Sequence, residues 1–282
     1  MYVVVVLWVF GPLAFLCKLE QDLGKKITDV SFAYSGTSTG AIIAAGLAEG
    51  YSAHDLFDLY KNNLKKIFTT YSWYKRIQPK CPTYDNTNLT KILKDKFKGK
   101  CGDWKKPVYI PTTCTNIQNV EKVWDLGDKD VDKWFAILSS TAAPTYFDCV
   151  YDKDKNCYID GGMWKNCPID VLNAGLMKSG WSNYKILNLD TGMTTPNNES
   201  GNKTLLGWAE YLFSHWIART SYSGVYECKS ILGDDAVFHA SPYHQKKIKM
   251  DKTDNDTINQ IVDIWTNYYY ANRSKILEFM KS

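Results

Sequence analysis

Along the first 190 residues, short apolar runs alternate with longer stretches in which apolar side chains recur every three or four positions. Tyr2 to Leu16 is apolar apart from Gly11 and Pro12. That run is shorter than the ~20 residues a bilayer requires, and Pro12 interrupts it. It also lacks a basic leader and a small-residue cleavage site. A buried strand over Tyr2 to Trp8 with a helix from about Pro12 is the better account; a targeting segment or anchor is the alternative. Val30 to Tyr34 is a second apolar run. It ends at Ser35-Gly36 and gives way to the Ala-rich stretch Gly40 to Glu49, the pattern of a strand, a tight turn and a buried helix. Gly50 stops that helix, and Ser52 with Asp55 three residues on predicts a capping box for the next, whose Leu56, Tyr60, Leu64 and Phe68 share one face.

Residues 69–83 are irregular and closed by Pro79 and Pro82, a long surface connection. Asn88 to Lys98 predicts a short amphipathic helix. Strands are expected at Val108 to Thr113, Val120 to Trp124, Cys157 to Ile159 and Lys185 to Leu189, with a helix around Trp134 to Ser140. Alternating helices and strands predict an α/β fold with a largely parallel sheet. The polar stretch Thr194 to Lys203 separates this core, residues 1–200, from a mainly helical region, residues 201–282, packed on the same domain. Its last segment, Thr257 to Met280, carries Ile261, Trp265, Tyr268 and Tyr269 at helical spacing.

Composition adds constraints rather than chemistry. The chain has 282 residues, 45% hydrophobic and 23% charged, enough to bury a large core. Its 34 basic and 30 acidic side chains leave a formal charge of +4, too balanced for nucleic-acid binding by bulk electrostatics and compatible with an anionic membrane surface. Eight cysteines without a C-x-x-C pair read as free thiols in a reducing, cytoplasmic setting, with no metal site implied.

Candidate chemistry starts at Gly36-Thr37-Ser38-Thr39-Gly40, which fits G-x-S-x-G between a predicted strand and a predicted helix. Ser38 would stand exposed on the turn as a nucleophile. Gly36 and Gly40 would supply positive φ and room near the helix, and the Thr39 N–H at the helix start would face a developing oxyanion. A Gly/Ser turn without chemistry is the alternative. A serine needs a base. Tyr158-Ile159-Asp160-Gly161-Gly162 brings a carboxylate to a Gly-Gly turn at a strand end, and on local pattern alone a plain turn explains it equally well. Asp190 with His239 or His244 would complete a serine–aspartate–histidine order instead. Tyr71, Trp73 and Tyr74 beside Lys75 and Arg76 suit a membrane interface, or equally a loop folded over the core.

Three stretches in order resemble the signatures of patatin-like phospholipases: Gly36 to Ala44, Ser139 to Phe147, and Asp160-Gly161-Gly162 with Asn166 and Pro168. Tyr84-Asp85 and Leu189-Asp190-Thr191-Gly192 are similar to weaker family motifs. The resemblance runs from about Gly11 to Gly192. It implies a three-layer α/β/α sandwich and a cofactor-free serine hydrolase acting on phospholipid or other acyl-lipid esters, in peripheral contact with membranes. Ser38 takes the nucleophile's place, Asp160 the base's without a histidine, and Gly161 and Gly162 the supporting turn. Gly11-Pro12 matches the start of the family's first helix and falls near its oxyanion loop. The glycine-rich D-G-G-G loop itself is missing, and Val3 to Val6 stand where it is expected. Four β-branched residues favour continued strand, so a catalytically impaired, lipid-binding or regulatory relative is the alternative to an active enzyme.

Overall fold

The computed structural model describes residues 2–6, 9–72, 75, 81–116, 121–190, 192–194, 204, 208, 222–244 and 254–281. Strand β1 (Tyr2–Val6) leads into helix α1 (Phe10–Leu23), and the short α2 (Ile27–Val30) precedes β2 (Ser31–Gly36). Helices α3 (Thr39–Ala48), α4 (Ala53–Ile67) and α5 (Thr87–Lys96) follow, then β3 (Val108–Cys114), β4 (Glu121–Trp124) and α6 (Lys133–Ser140). Next come β5 (Val150–Tyr151), β6 (Cys157–Asp160), α7 (Ile169–Lys178), β7 (Lys185–Leu189) and β8 (Met193–Thr194). Beyond residue 200 lie a helical segment 222–232, β9 (Val237–Ala240), β10 (Tyr243–His244) and α8 (Asn255–Phe279).

One mixed sheet holds eight strands in the order β5-β6-β3-β2-β1-β7-β9, with β4 also paired to β3. Strands β3-β2-β1-β7-β9 are parallel; β4 and β6 run antiparallel to β3, and β5 pairs antiparallel with β6. Strand alternation divides the buried side chains between two faces. Val4, Tyr34, Ile110 and Leu187 join α1, α3, α4, α6 and α8 in one apolar cluster, whereas Val3, Ala33, Tyr109 and Ile186 meet α7 and segment 222–232 in another. That is the three-layer α/β/α arrangement. The region after residue 200 is not only helical, because Val237 to Ala240 pair in parallel with Ile186 to Leu189 and extend the sheet.

Local signals act where expected. Ser52 and Asp55 form the capping box of α4, Asp55 N donating to Ser52 Oγ at 3.1 Å and Ser52 N to Asp55 Oδ2 at 2.9 Å. Leu56, Tyr60 and Leu64 are buried on one face of that helix. Pro12 sits in the first turn of α1, where an N–H has no intrahelical acceptor to lose. Helix α8 crosses α1: Trp265 and Tyr269 are fully buried, Tyr269 Oη donates to Asp22 at 2.6 Å, and Arg273 grips the same carboxylate at 2.7 and 2.9 Å. Gly11 belongs to this contact. A Cβ there would lie 2.1 Å from Trp265 Nε1, so the packing of α1 on α8 requires the missing side chain. Among the described residues no helix is long and apolar enough to cross a membrane.

Candidate active site

Ser38 sits between β2 and α3 with φ 57° and ψ −129°, a left-handed conformation that non-glycine residues rarely occupy. The sequence placed that burden on the flanking glycines. The structure places it on Ser38 itself, whereas Gly36 is needed for a different reason: a Cβ there would come within 2.1 Å of the Gly40 carbonyl oxygen. The strained turn is held from several sides. Gly40 N donates to Thr37 O and Ala41 N to Ser38 O, both at 2.9 Å, and Thr37 Oγ1 donates to Lys165 O at 2.8 Å. Ser38 N donates to Ser140 Oγ at 3.1 Å, and that hydroxyl donates in turn to Pro111 O at 2.6 Å. Of the N–H groups from Ser38 to Ala41, only that of Thr39 has no acceptor among the described residues. Ser140 lies in the stretch Ser139 to Phe147, where nothing local marks it as the prop of this turn.

Asp160 ends β6, and its main chain is fixed by Thr113 Oγ1 donating to its carbonyl and by its own N–H donating to Ala142 O, both at 2.9 Å. Its Oδ1 accepts from Gly162 N at 2.7 Å. A Cβ on Gly161 would strike Pro111 O at 2.2 Å, so the Gly-Gly turn is set by close approach to β3. The sequence suggested an exposed carboxylate; the structure buries it, with 5% of the residue accessible. Burial pushes its pKa up to about 6, while the Ser38 hydroxyl and the Gly162 N–H pull the other way. Among the described residues Oδ2 has no hydrogen-bond partner within bonding distance. Ser38 is therefore near enough to favour the charged carboxylate without a closed hydrogen bond, a looseness common before substrate binds.

The other candidates separate from this pair. His239 Nδ1 meets Asn188 Nδ2 at 2.8 Å, and its Nε2 lies 3.9 Å from Asp190 Oδ2. Burial, then Lys229, pushes the His239 pKa down to about 4, so the imidazole is neutral near pH 7 and the contact is not an ion pair. Registers Ser35↔Val5, Val5↔Asn188 and Asn188↔His239 put three strand spacings between His239 and β2, about 14 Å. His239 therefore does not complete a serine–aspartate–histidine triad around Ser38. His54 is exposed beside Asp58, and His215, Trp73, Tyr74 and Arg76 fall outside the described residues. Among the described residues no three His, Cys, Asp or Glu side chains converge as a metal would require.

Val3 to Val6 continue β1, paired on one side with β2 up to Val6↔Gly36 and on the other with β7 up to Val6↔Leu189. The four valines thus lie within the strand, which ends at Val6. An apolar cavity opens beside Ser38 and Thr39, walled among others by Tyr60, Leu64, Phe147 and Ile261. Tyr60 Oη donates to Thr39 O at 3.1 Å, tying this wall to the turn. Helical spacing alone marked Tyr60, Leu64 and Ile261 as core, and only the fold turns them toward Ser38.

The sequence profile of patatin-like phospholipases matches residues 13–173, more than half of the chain and all of the turn-and-aspartate geometry. The chain belongs to the patatin-like phospholipase family. It is 29% identical over 173 residues to an intracellular phospholipase A2 of Caenorhabditis elegans, covering 56% of this chain and 15% of that protein. It is 30% identical over 197 residues to a cGAMP-activated phospholipase of Vibrio cholerae, covering 60% and 54%, and 32% identical over 163 residues to one from Escherichia coli, covering 53% and 44%. The matched part is thus about half or less of each of these relatives. A crystal structure of VipD from Legionella pneumophila aligns over 93% of this chain and 66% of that one, with a TM-score of 0.45 at 13% identity.

Proposed function

We propose that this patatin-like protein is a lipid acyl hydrolase working through a Ser38–Asp160 dyad. Asp160 Oδ2 takes the proton of the Ser38 hydroxyl as Oγ attacks an ester carbonyl. The tetrahedral oxyanion is met by the Thr39 N–H at the start of α3, and collapse expels the alcohol, which leaves with the proton from Asp160. Water then repeats the sequence on the acyl-serine and releases the acid. The observation that carries this reading is the buried, under-bonded Asp160 carboxylate beside a serine held in a strained turn: a pKa of about 6 suits a base working near neutral pH. The names of the phospholipase relatives support a phospholipid or other acyl-lipid substrate met at a membrane surface. Residues 1–200 form the catalytic core, and residues 201–282 pack on the same domain.

A second reading, an acyl-lipid-binding protein with little turnover, has one observation in its favour. Strand β1 is central, so its backbone N–H groups are committed to β2 and β7 and do not form a glycine-loop oxyanion hole. A fluorophosphonate probe decides between the two. The enzyme reading expects stoichiometric labelling of wild type at Ser38, none of Ser38→Ala, and labelling slowed at least ~10²-fold in Asp160→Asn, the scale of a lost general base. Unlabelled, folded wild type would leave the binding protein standing.

A further inference from the structure

The cavity beside Ser38 is bounded by side chains from separate elements, among them Ile42 of α3, Leu64 and Ile67 of α4, Leu89 of α5, Phe147, and Ile261 of α8. Among the described residues no Asp, Glu, Lys, Arg or His lines it. A charged head group would lose its hydration there without a partner, whereas an alkyl chain loses nothing polar. The cavity is small, about 60 Å³. A water-sized group occupies ~10–15 Å³ by that measure, so the space holds roughly four to six carbons in file before any wall side chain must move. Leu64 and Ile261 are both nearly buried, so neither is free to swing away into solvent.

We propose that this cavity receives the acyl chain of the substrate, that it seats about four to six carbons of that chain, and that Ile261 is a determinant of that length. Ile261 stands on α8, outside the residues 13–173 that define the family match, so this specificity belongs to the chain's own C-terminal helix. The proposal rests on the Ser38 reading above for where the ester bond lies. Each methylene buried raises kcat/KM about fourfold, so activity climbs with chain length until the cavity is full and then levels.

The test is kcat/KM on p-nitrophenyl acetate, butyrate, hexanoate, octanoate and dodecanoate, for wild type, Ile261→Ala and Ile261→Trp, each confirmed as folded by thermal unfolding. Binding of the matching free fatty acids to the Ser38→Ala protein, and to the same protein carrying either Ile261 change, is measured by calorimetry. Wild type is expected to rise to about hexanoate and level off. Ile261→Ala should move the plateau about two carbons further, raising the octanoate-to-hexanoate ratio about tenfold, and Ile261→Trp should lower the hexanoate-to-acetate ratio at least tenfold. If Ile261→Trp does not fold, Leu64→Ala and Ile261→Val carry the same comparison. Esters cleaved with an unchanged length profile in the variants would overturn the cavity proposal and leave the dyad untouched. Fatty acids bound and weakened by Ile261→Trp while no ester is cleaved would support the cavity and remove the dyad. Neither cleavage nor binding would remove both.

Discussion

Asp160→Asn separates chemistry from stability in a way that burial of the carboxylate dictates. In the folded chain its pKa is raised from an ordinary 3.8 to about 6. The native state therefore holds this proton more tightly than the unfolded chain. The stability this confers is complete below pH ~3.8, falls as pH rises through 6, and is gone above about pH 7. A pKa raised by about two, at about 1.4 kcal/mol each, means that ionised Asp160 costs the fold about 3 kcal/mol at pH 8. Asparagine cannot ionise and keeps the bond from Gly162 N to its Oδ1, but its amide N–H₂ replaces the unpartnered Oδ2 and is imperfectly satisfied. The net gain at pH 8 should be ~1–3 kcal/mol, and close to zero or slightly negative at pH 4. Urea unfolding of both proteins at pH 4, 6 and 8 measures this directly, because every other titrating group cancels in the difference. The variant should lose its esterase activity while becoming more stable at pH 8. A stability difference that is the same at pH 4 and pH 8, or an Asn protein weaker than wild type at pH 8, would refute a desolvated carboxylate at this site.

Three further outcomes follow from the same geometry. For wild type, kcat/KM on a short ester should rise tenfold per pH unit below about 6 and level above about 7, as the base form of Asp160 fills, while His239→Gln leaves that midpoint in place. Ser38→Gly should stabilise the fold by ~1 kcal/mol by relieving φ 57°, and Ser38→Ala should not, a contrast that thermal unfolding reads. Replacing Val3 to Val6 with Asp-Gly-Gly-Gly should abolish folding, since Val3 and Val4 are fully buried in a central strand; circular dichroism checks it.

By itself the sequence determined the elements and the order of the chemical parts. Continuous apolar runs placed β1, β2, β3 and β7, and a 3.6-residue period placed α4 and α8, to within a few residues, because a central strand is buried on both faces and a packed helix on one, and each shows it in its own residues. G-x-S-x-G and D-G-G were legible because tight turns demand particular small residues close together in the chain. Strands β5 and β10 span two residues each, and β9 was hidden in a stretch that looked helical; too few positions there carry a period. What the tertiary structure alone decided is every property that depends on distant neighbours. It assigned the positive φ to Ser38 rather than to Gly36, gave Gly11 to Trp265, and moved His239 three strands from the nucleophile's strand. It also sealed Asp160 from water between segments that no local pattern connects, and desolvation, a sum over all of those neighbours, sets the carboxylate's pKa.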